Sequence, residues 1–149
     1  PACFKDFLWW SGLSITEARE ALTLIGHELQ KVVYGDEDYF LFEQPITKGE
    51  WVESVIFLPA YDEYIIAYNV RKDVFRAKDM PKAFTKNGLF FPLVLVNGKA
   101  IGTWKLKNKK LPMPLYTMFE GIKQPRESMI LQAIEEFSLR FGMGKDMML

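Results

Sequence analysis

One cysteine, one histidine, no long apolar run and no glycine-rich loop: each shortage in this 149-residue chain closes a class of function. Cys3 cannot form an internal disulfide, so a reducing compartment, the cytoplasm, is the expected location. His27 has no second histidine to share a metal and sits off the apolar stripe of its helix, so neither a ligand nor a general base is expected there. No metal and no cofactor are expected anywhere. Gly98 and Gly102 fall in a hairpin rather than at a helix start, which removes the phosphate-loop reading. No stretch approaches a membrane span, and the N-terminus lacks the basic and apolar regions of a signal peptide, so no membrane partner is expected. Pro1 stands first and a helix follows almost at once, as in a piece of something longer. Net charge is also missing, with 19 Lys and Arg against 19 Asp and Glu.

The zero total conceals an uneven distribution. Residues 1–63 carry four Lys/Arg against twelve Asp/Glu, a net of −8. Residues 64–112 carry eleven against two, a net of +9, and the remainder is −1. A polyanion is attracted to the middle segment and repelled by the first. The alternative is that the two segments pack together and neutralise each other. At 49% apolar and 15% aromatic, the chain has material for one core or two small ones.

The first 46 residues read as helix, turn, helix and hairpin. Asp6 can cap an apolar stretch, Phe7-Leu-Trp-Trp10, that stops at Ser11-Gly12. Ser14-Ile-Thr-Glu17 is a capping box, in which the serine oxygen and the glutamate carboxylate satisfy free amide donors. The helix it opens sets Ile15, Ala18, Leu22, Ile25 and Leu29 on one stripe. Strand-like Gln30–Tyr34 and Tyr39–Phe42 flank the turn Gly35-Asp-Glu-Asp38. Together these make the core of a winged helix-turn-helix without its usual first helix. Thr16, Arg19 and Thr23 are the polar groups that could reach a DNA groove. Glu17, Glu20 and Glu28 share their helix, and the acidic tip Asp36-Glu37-Asp38 opposes a phosphate backbone, which favours a structural or protein-facing role.

Residues 47–149 read as a β-barrel region with a C-terminal helix, joined to the first segment by a hinge at Thr47-Lys-Gly-Glu50. Ser54–Leu58 and Asp62–Tyr68 are expected strands on either side of Pro59-Ala-Tyr61. Leu89–Val96 is apolar on both alternating faces, as in a strand buried on each side. It turns at Asn97-Gly98, a pair suited to the positive φ angles of a type I′ hairpin. In Lys99–Lys107, alternation puts Ala100, Gly102 and Trp104 on one face and Lys99, Ile101, Thr103, Lys105 and Lys107 on the other. Small residues beside a tryptophan suit the interior of a small antiparallel barrel, which would also hide the sheet edges. Met113–Glu120 supplies a further strand, and the loop Arg71–Lys86 has room for one helical turn. The last helix has Pro125 near its first turn, Gly142 past its end and a stripe of Ile130, Ile134, Phe137 and Phe141. The fold class is therefore α+β: a partial winged helix-turn-helix, then a small antiparallel barrel, then a helix.

Catalytic chemistry is poorly represented. Asp62 and Glu63 are adjacent, so on a strand they point to opposite faces and cannot act as a pair. Cys3 has no histidine near it in sequence. Trp104 and the cluster Tyr61, Tyr64 and Tyr68 are expected in the core rather than as base-stacking platforms. Lys99, Lys105 and Lys107 form either an ordinary solvated strand face or a surface that contacts DNA backbone, with Arg71 and Lys72 close by in sequence.

Three runs in order carry a family resemblance: Asp6-Phe-Leu-Trp-Trp-Ser-Gly-Leu13, Leu58-Pro-Ala-Tyr-Asp-Glu-Tyr64, and Asn87-Gly…Pro92…Val96-Asn-Gly98…Gly102-Thr-Trp104. They resemble the winged-helix DNA-binding-domain family that includes the AlkZ- and YcaQ-like bacterial DNA glycosylases. The resemblance covers nearly the whole chain and aligns it with the C-terminal part of that family. It implies tandem winged helices joined to a β-barrel, and a repair activity that removes alkylated bases or unhooks crosslinks. The resemblance implies a glycosylase motif that is a glutamine-apolar-glutamine, or related, triplet on an N-terminal winged helix. Here the glutamines are Gln30, Gln44, Gln124 and Gln132, no two separated by one residue, so no catalytic residue is expected in this chain. The expected partners are double-stranded DNA and the missing N-terminal winged-helix domains, with the chain a monomer. DNA-contacting candidates are Lys99, Lys105, Lys107, Arg71, Lys72, Thr16 and Arg19. Two other readings stay open: a winged-helix transcription regulator and a protein-interaction module.

Overall fold

The computed structural model describes residues 1–42, 53–107 and 113–140. Among these it is a mixed α/β chain with two antiparallel sheets and five α-helices. The chain divides into two units, Pro1–Trp51 with Glu63–Arg71, and Val52–Asp62 with Lys72–Leu149. The expected boundary at residues 46/47, the hinge at Thr47–Glu50, and Phe141, Gly142 and the tail lie outside the described residues.

In the first unit, β1 (Ala2–Cys3) leads directly into α1 (Phe4–Ser11). Asp6, expected to cap a helix starting at Phe7, is instead the third residue of a helix starting at Phe4. Its Oδ2 reaches back to accept the Cys3 amide at 3.1 Å, so it still satisfies a free donor, from inside the helix. Gly12 ends α1 at φ 69°, donating to the Leu8 carbonyl at 3.1 Å. The Ser14 box opens α2 (Ile15–Ile25) as expected. Glu17 N–H donates to Ser14 Oγ at 3.3 Å, and Ser14 N–H donates to Glu17 Oε2 at 2.9 Å. The expected apolar stripe is only partly buried: Ala18 is inaccessible, but Ile15 and Ile25 are 56% and 49% exposed. Leu29 lies beyond the helix, after a 3-10 turn at Gly26–Glu28.

The hairpin follows as β2 (Gln30–Tyr34) and β3 (Glu37–Leu41), with Tyr34 opposite Glu37. Its turn is two residues, Gly35-Asp36, shorter than expected because Glu37 and Asp38 continue the strand. β1 pairs along the other side of β3, giving the sheet order β1-β3-β2.

The expected strand Asp62–Tyr68 is overturned: Glu63–Ile66 is a helical turn, α3. Tyr and Ile suit either state, and side chains of α1 settle the choice. Trp9 Nε1 donates to the Ile66 carbonyl at 2.8 Å, and Asp6 Oδ1 accepts the amides of Asn69 and Val70 at 2.9 and 3.0 Å. Arg71 Nε donates to the Ile65 carbonyl at 2.7 Å. Backbone groups that a strand would offer to a ladder are thus taken by side chains.

The second unit holds β4 (Val55–Leu58), β5 (Leu93–Val96), β6 (Lys99–Leu106) and β7 (Pro114–Met118), antiparallel in that order. No pairing of β4 with β7 closes the sheet among the described residues, and no closed barrel is found. Leu93, Val94 and Leu95 are each 2% exposed, which agrees with a strand covered on both faces. The turn residues Asn97 and Gly98 take φ 51° and 77°, the double-positive geometry read from their identity.

One register shift changes the expected faces of β6. Val94 pairs with Gly102 but Leu95 pairs with Ala100, so Ile101 is an extra residue at a bulge. The bulge turns Ile101 off the lysine face into the core, where it packs with Val55, Phe57, Val94, Ile130, Ala133 and Phe137. The last three come from α5 (Glu127–Arg140), which lies against this sheet face. Trp104 joins the same core at its margin, its Nε1 donating to the Leu58 carbonyl at 2.7 Å. Between β4 and β5, the basic loop contains a 3-10 turn, Ala77–Asp79, and α4 (Met80–Ala83), close to the single helical turn expected.

Candidate nucleic-acid interface

Lys99 and Lys105 are exposed at the two ends of a β6 whose middle is buried, and Lys107 follows just beyond, also exposed. The bulge at Ile101 puts Lys99 on the opposite sheet face from Lys105, so the single lysine face expected from alternation is split. Lys72, in the same unit, is exposed as well. Among the described residues none of these four forms an ion pair. Some other cations of the unit are engaged. Arg76 bridges Asp79, by an ion pair, and the Glu120 carbonyl, at 2.9 Å. Lys82 Nζ is 3.6 Å from Asp79 Oδ1 and lies 5.7 Å from the Phe119 ring centre. Asp79 itself is buried: burial pushes its carboxyl up, but the Arg76 hydrogen bond and the charges of Arg76, Lys82 and Lys78 hold it below the usual carboxylate range. It therefore anchors the basic loop from inside and leaves Lys78 and Lys86 exposed on the outside.

Arg71 is a different case. It belongs to the first unit, half-buried, with its guanidinium 5.6 Å from the centre of the Trp9 ring and its Nε on the Ile65 carbonyl. Burial lowers its pKa and the nearby Asp6 charge opposes this. Arg71 is thus engaged within the first unit, while the adjoining Lys72 is exposed. Thr16 and Arg19 are exposed on α2 in the first unit, among the exposed carboxylates Glu17 and Glu20. The hairpin tip is less acidic in effect than its sequence. Lys5 pairs with Glu37, and Lys31 Nζ is 2.8 Å from Asp38 Oδ2.

Two of the four aromatic side chains expected in the core are at the surface. Tyr61 and Tyr64 are 50% and 42% exposed. Asp6 went unnoticed as a buried carboxylate. Only the position of a charge just before an apolar run hinted at it. His27 is exposed beside Glu28, with Nε2 and Oε1 3.6 Å apart. Among the described residues no group of His, Cys, Asp or Glu is placed to hold a metal ion.

Comparison with known proteins bears on what such a surface serves. A family profile described as DNA glycosylase AlkZ-like matches residues 1–138. The chain belongs to the AlkZ-like DNA glycosylase family. No curated protein matches it significantly. Among solved structures it is similar to the Streptomyces sahachiroi DNA glycosylase AlkZ, with a TM-score of 0.81 at 16% identity, over 95% of this chain and 39% of that one. At that identity the likeness concerns the fold. The chain spans well under half the length of the AlkZ structure, so its part in any AlkZ-like activity is a matter for proposal. No helix among the described residues is long and apolar enough to cross a membrane.

Proposed function

We propose that this chain is the DNA-contacting, C-terminal part of a bacterial AlkZ-like repair protein, working with N-terminal winged-helix domains that carry the base-excision chemistry. The observation that carries the reading is the end of β6: Lys105 and Lys107 are exposed, and neither is tied to a carboxylate among the described residues, while Lys99, also exposed and unpaired there, lies across the bulge on the other sheet face. Such cations meet phosphates and release counter-ions, which gives affinity without reading sequence. Lys72 extends the same role. The glutamines of this chain do not form the family triplet, which supports assigning it binding rather than bond cleavage.

Finer architecture belongs to the same proposal. The order strand, helix, helix, hairpin, with β1 beside β3, supports a winged helix-turn-helix lacking its first helix. The bulge at Ile101 and the glycine at Gly102, features that let a strand bend, support a sheet curled toward a small barrel. The protein is taken to act as a cytoplasmic monomer.

A second reading keeps α2 as the DNA contact through Thr16 and Arg19. It gains from the Lys5–Glu37 and Lys31–Asp38 pairs, which offset two of the three wing-tip carboxylates. Duplex titrations across a range of salt separate the two. Charge reversal at Lys105 and Lys107 should lower the magnitude of the log affinity–log salt slope by about 0.9 per lost phosphate contact. An unchanged slope, with binding lost instead in T16A/R19A, would transfer the interface to α2. No duplex binding at low salt would leave a protein-interaction module.

A further inference from the structure

The segment from Ala83 to Phe91 is a second, smaller hairpin that the lysine strand does not involve. Phe91 N–H donates to the Ala83 carbonyl at 2.9 Å, Thr85 N–H to Leu89 at 2.9 Å and Gly88 N–H to Thr85 at 3.1 Å. Leu89 N–H also donates to Thr85 Oγ1 at 3.1 Å, and Phe84 bridges Phe90 across the base. Gly88, at φ 77°, lets the tip close. The hairpin is held from below by aromatic contacts: Phe90 stacks on Phe84 with centroids 5.3 Å apart and meets Tyr61 at 6.0 Å. Alternation along the chain then sends Leu89 and Phe91 to the other side, where they are 52% and 41% exposed. A rigid hairpin thus displays two apolar side chains with Lys86 exposed at its tip.

The charge of the chain segment that carries this apolar pair indicates its occupant. From Arg76 to Lys107 the sole carboxylate is Asp79, which is buried, so every exposed charge in that stretch is positive. An apolar face carried on a stretch of chain whose exposed charges are all positive suits a polyanion that can itself offer apolar faces, and DNA with an unstacked base is such a ligand. We infer that the Thr85–Phe91 hairpin is a second DNA contact, specific for an unpaired or unstacked nucleotide. Leu89 and Phe91 lie against the base, and Lys86 meets the adjoining phosphate. The inference rests on the DNA-binding reading and adds to it a preference for locally disrupted duplex.

Anisotropy titrations of the full 149-residue chain with two labelled duplexes test it. A duplex with a single-base bulge should bind roughly tenfold more tightly than its fully paired counterpart, the scale of one stacked base. The double substitution L89A/F91A should remove that preference and leave fully paired binding unchanged, while Phe91→Trp should retain it. Equal binding of the two duplexes, or a preference that survives L89A/F91A, overturns the inference and leaves the proposed function intact. Binding to neither duplex overturns both. A chain that sediments as a dimer, and is dissociated by L89A/F91A, assigns the apolar face to a second copy and also overturns the inference.

Discussion

Asp6 accepts amide protons from Cys3, beside it, and from Asn69 and Val70, 63 and 64 residues along the chain. Burial pushes its carboxyl up, but the amides of Val70, Cys3 and Asn69 outweigh this and hold it below the usual range. A depressed carboxyl stabilises the folded state above its unfolded pKa, and that contribution disappears as pH falls through the folded pKa. Hydrogen bonds to a charged group suggest that Asp6→Asn costs about 2 kcal/mol at neutral pH. Urea titrations at neutral pH and at a series of lower pH values should show the gap between the two proteins narrowing as pH falls below the unfolded pKa towards the folded one. An equal gap at every pH would mean that the charge is not what stabilises the site. None of this was legible locally, because the partners of Asp6 are brought to it only by folding.

At the scale of elements, the readable signals were those with a local mechanism. Ser14 and Glu17 satisfy each other's amides within four residues, and Asn97-Gly98 accepts two positive φ angles without help from elsewhere. The apolar residues of Glu63–Ile66 fit strand and helix alike, and the deciding hydrogen bonds come from Trp9, Asp6 and Arg71. The bulge at Ile101 was equally hidden, since strict alternation in a sequence does not reveal where a partner strand slips. Gly102 shows what that packing demands. A Cβ there would lie 2.3 Å from the Thr117 carbonyl oxygen, so β6 and β7 could not keep their spacing. Gly102→Ala should therefore destabilise by about 2 kcal/mol, as overpacking does. Thermal unfolding checks it, and an unchanged midpoint would show that the two strands yield at no cost.

For the whole molecule, the formal charge of zero is a poor guide to behaviour toward polyanions. Carboxylates concentrate in the N-terminal residues, where Lys5 and Lys31 offset two of them, while the cations of β6 remain exposed. The unsubstituted chain should be retained on heparin at low salt despite its neutrality. K99E/K105E/K107E should elute at distinctly lower salt, and equal retention would place the polyanion surface elsewhere. Residue type and order alone determined the capping box, the type I′ turn, the doubly covered strand and the family likeness, because each depends on neighbours in sequence or on a short fixed pattern. Tertiary structure decided the helical turn after Asp62, the inward rotation of Ile101, the engagement of Arg71 by Trp9, and which lysines stay exposed. Those outcomes depend on which groups meet across long stretches of chain, and a single strand of sequence carries no record of such meetings.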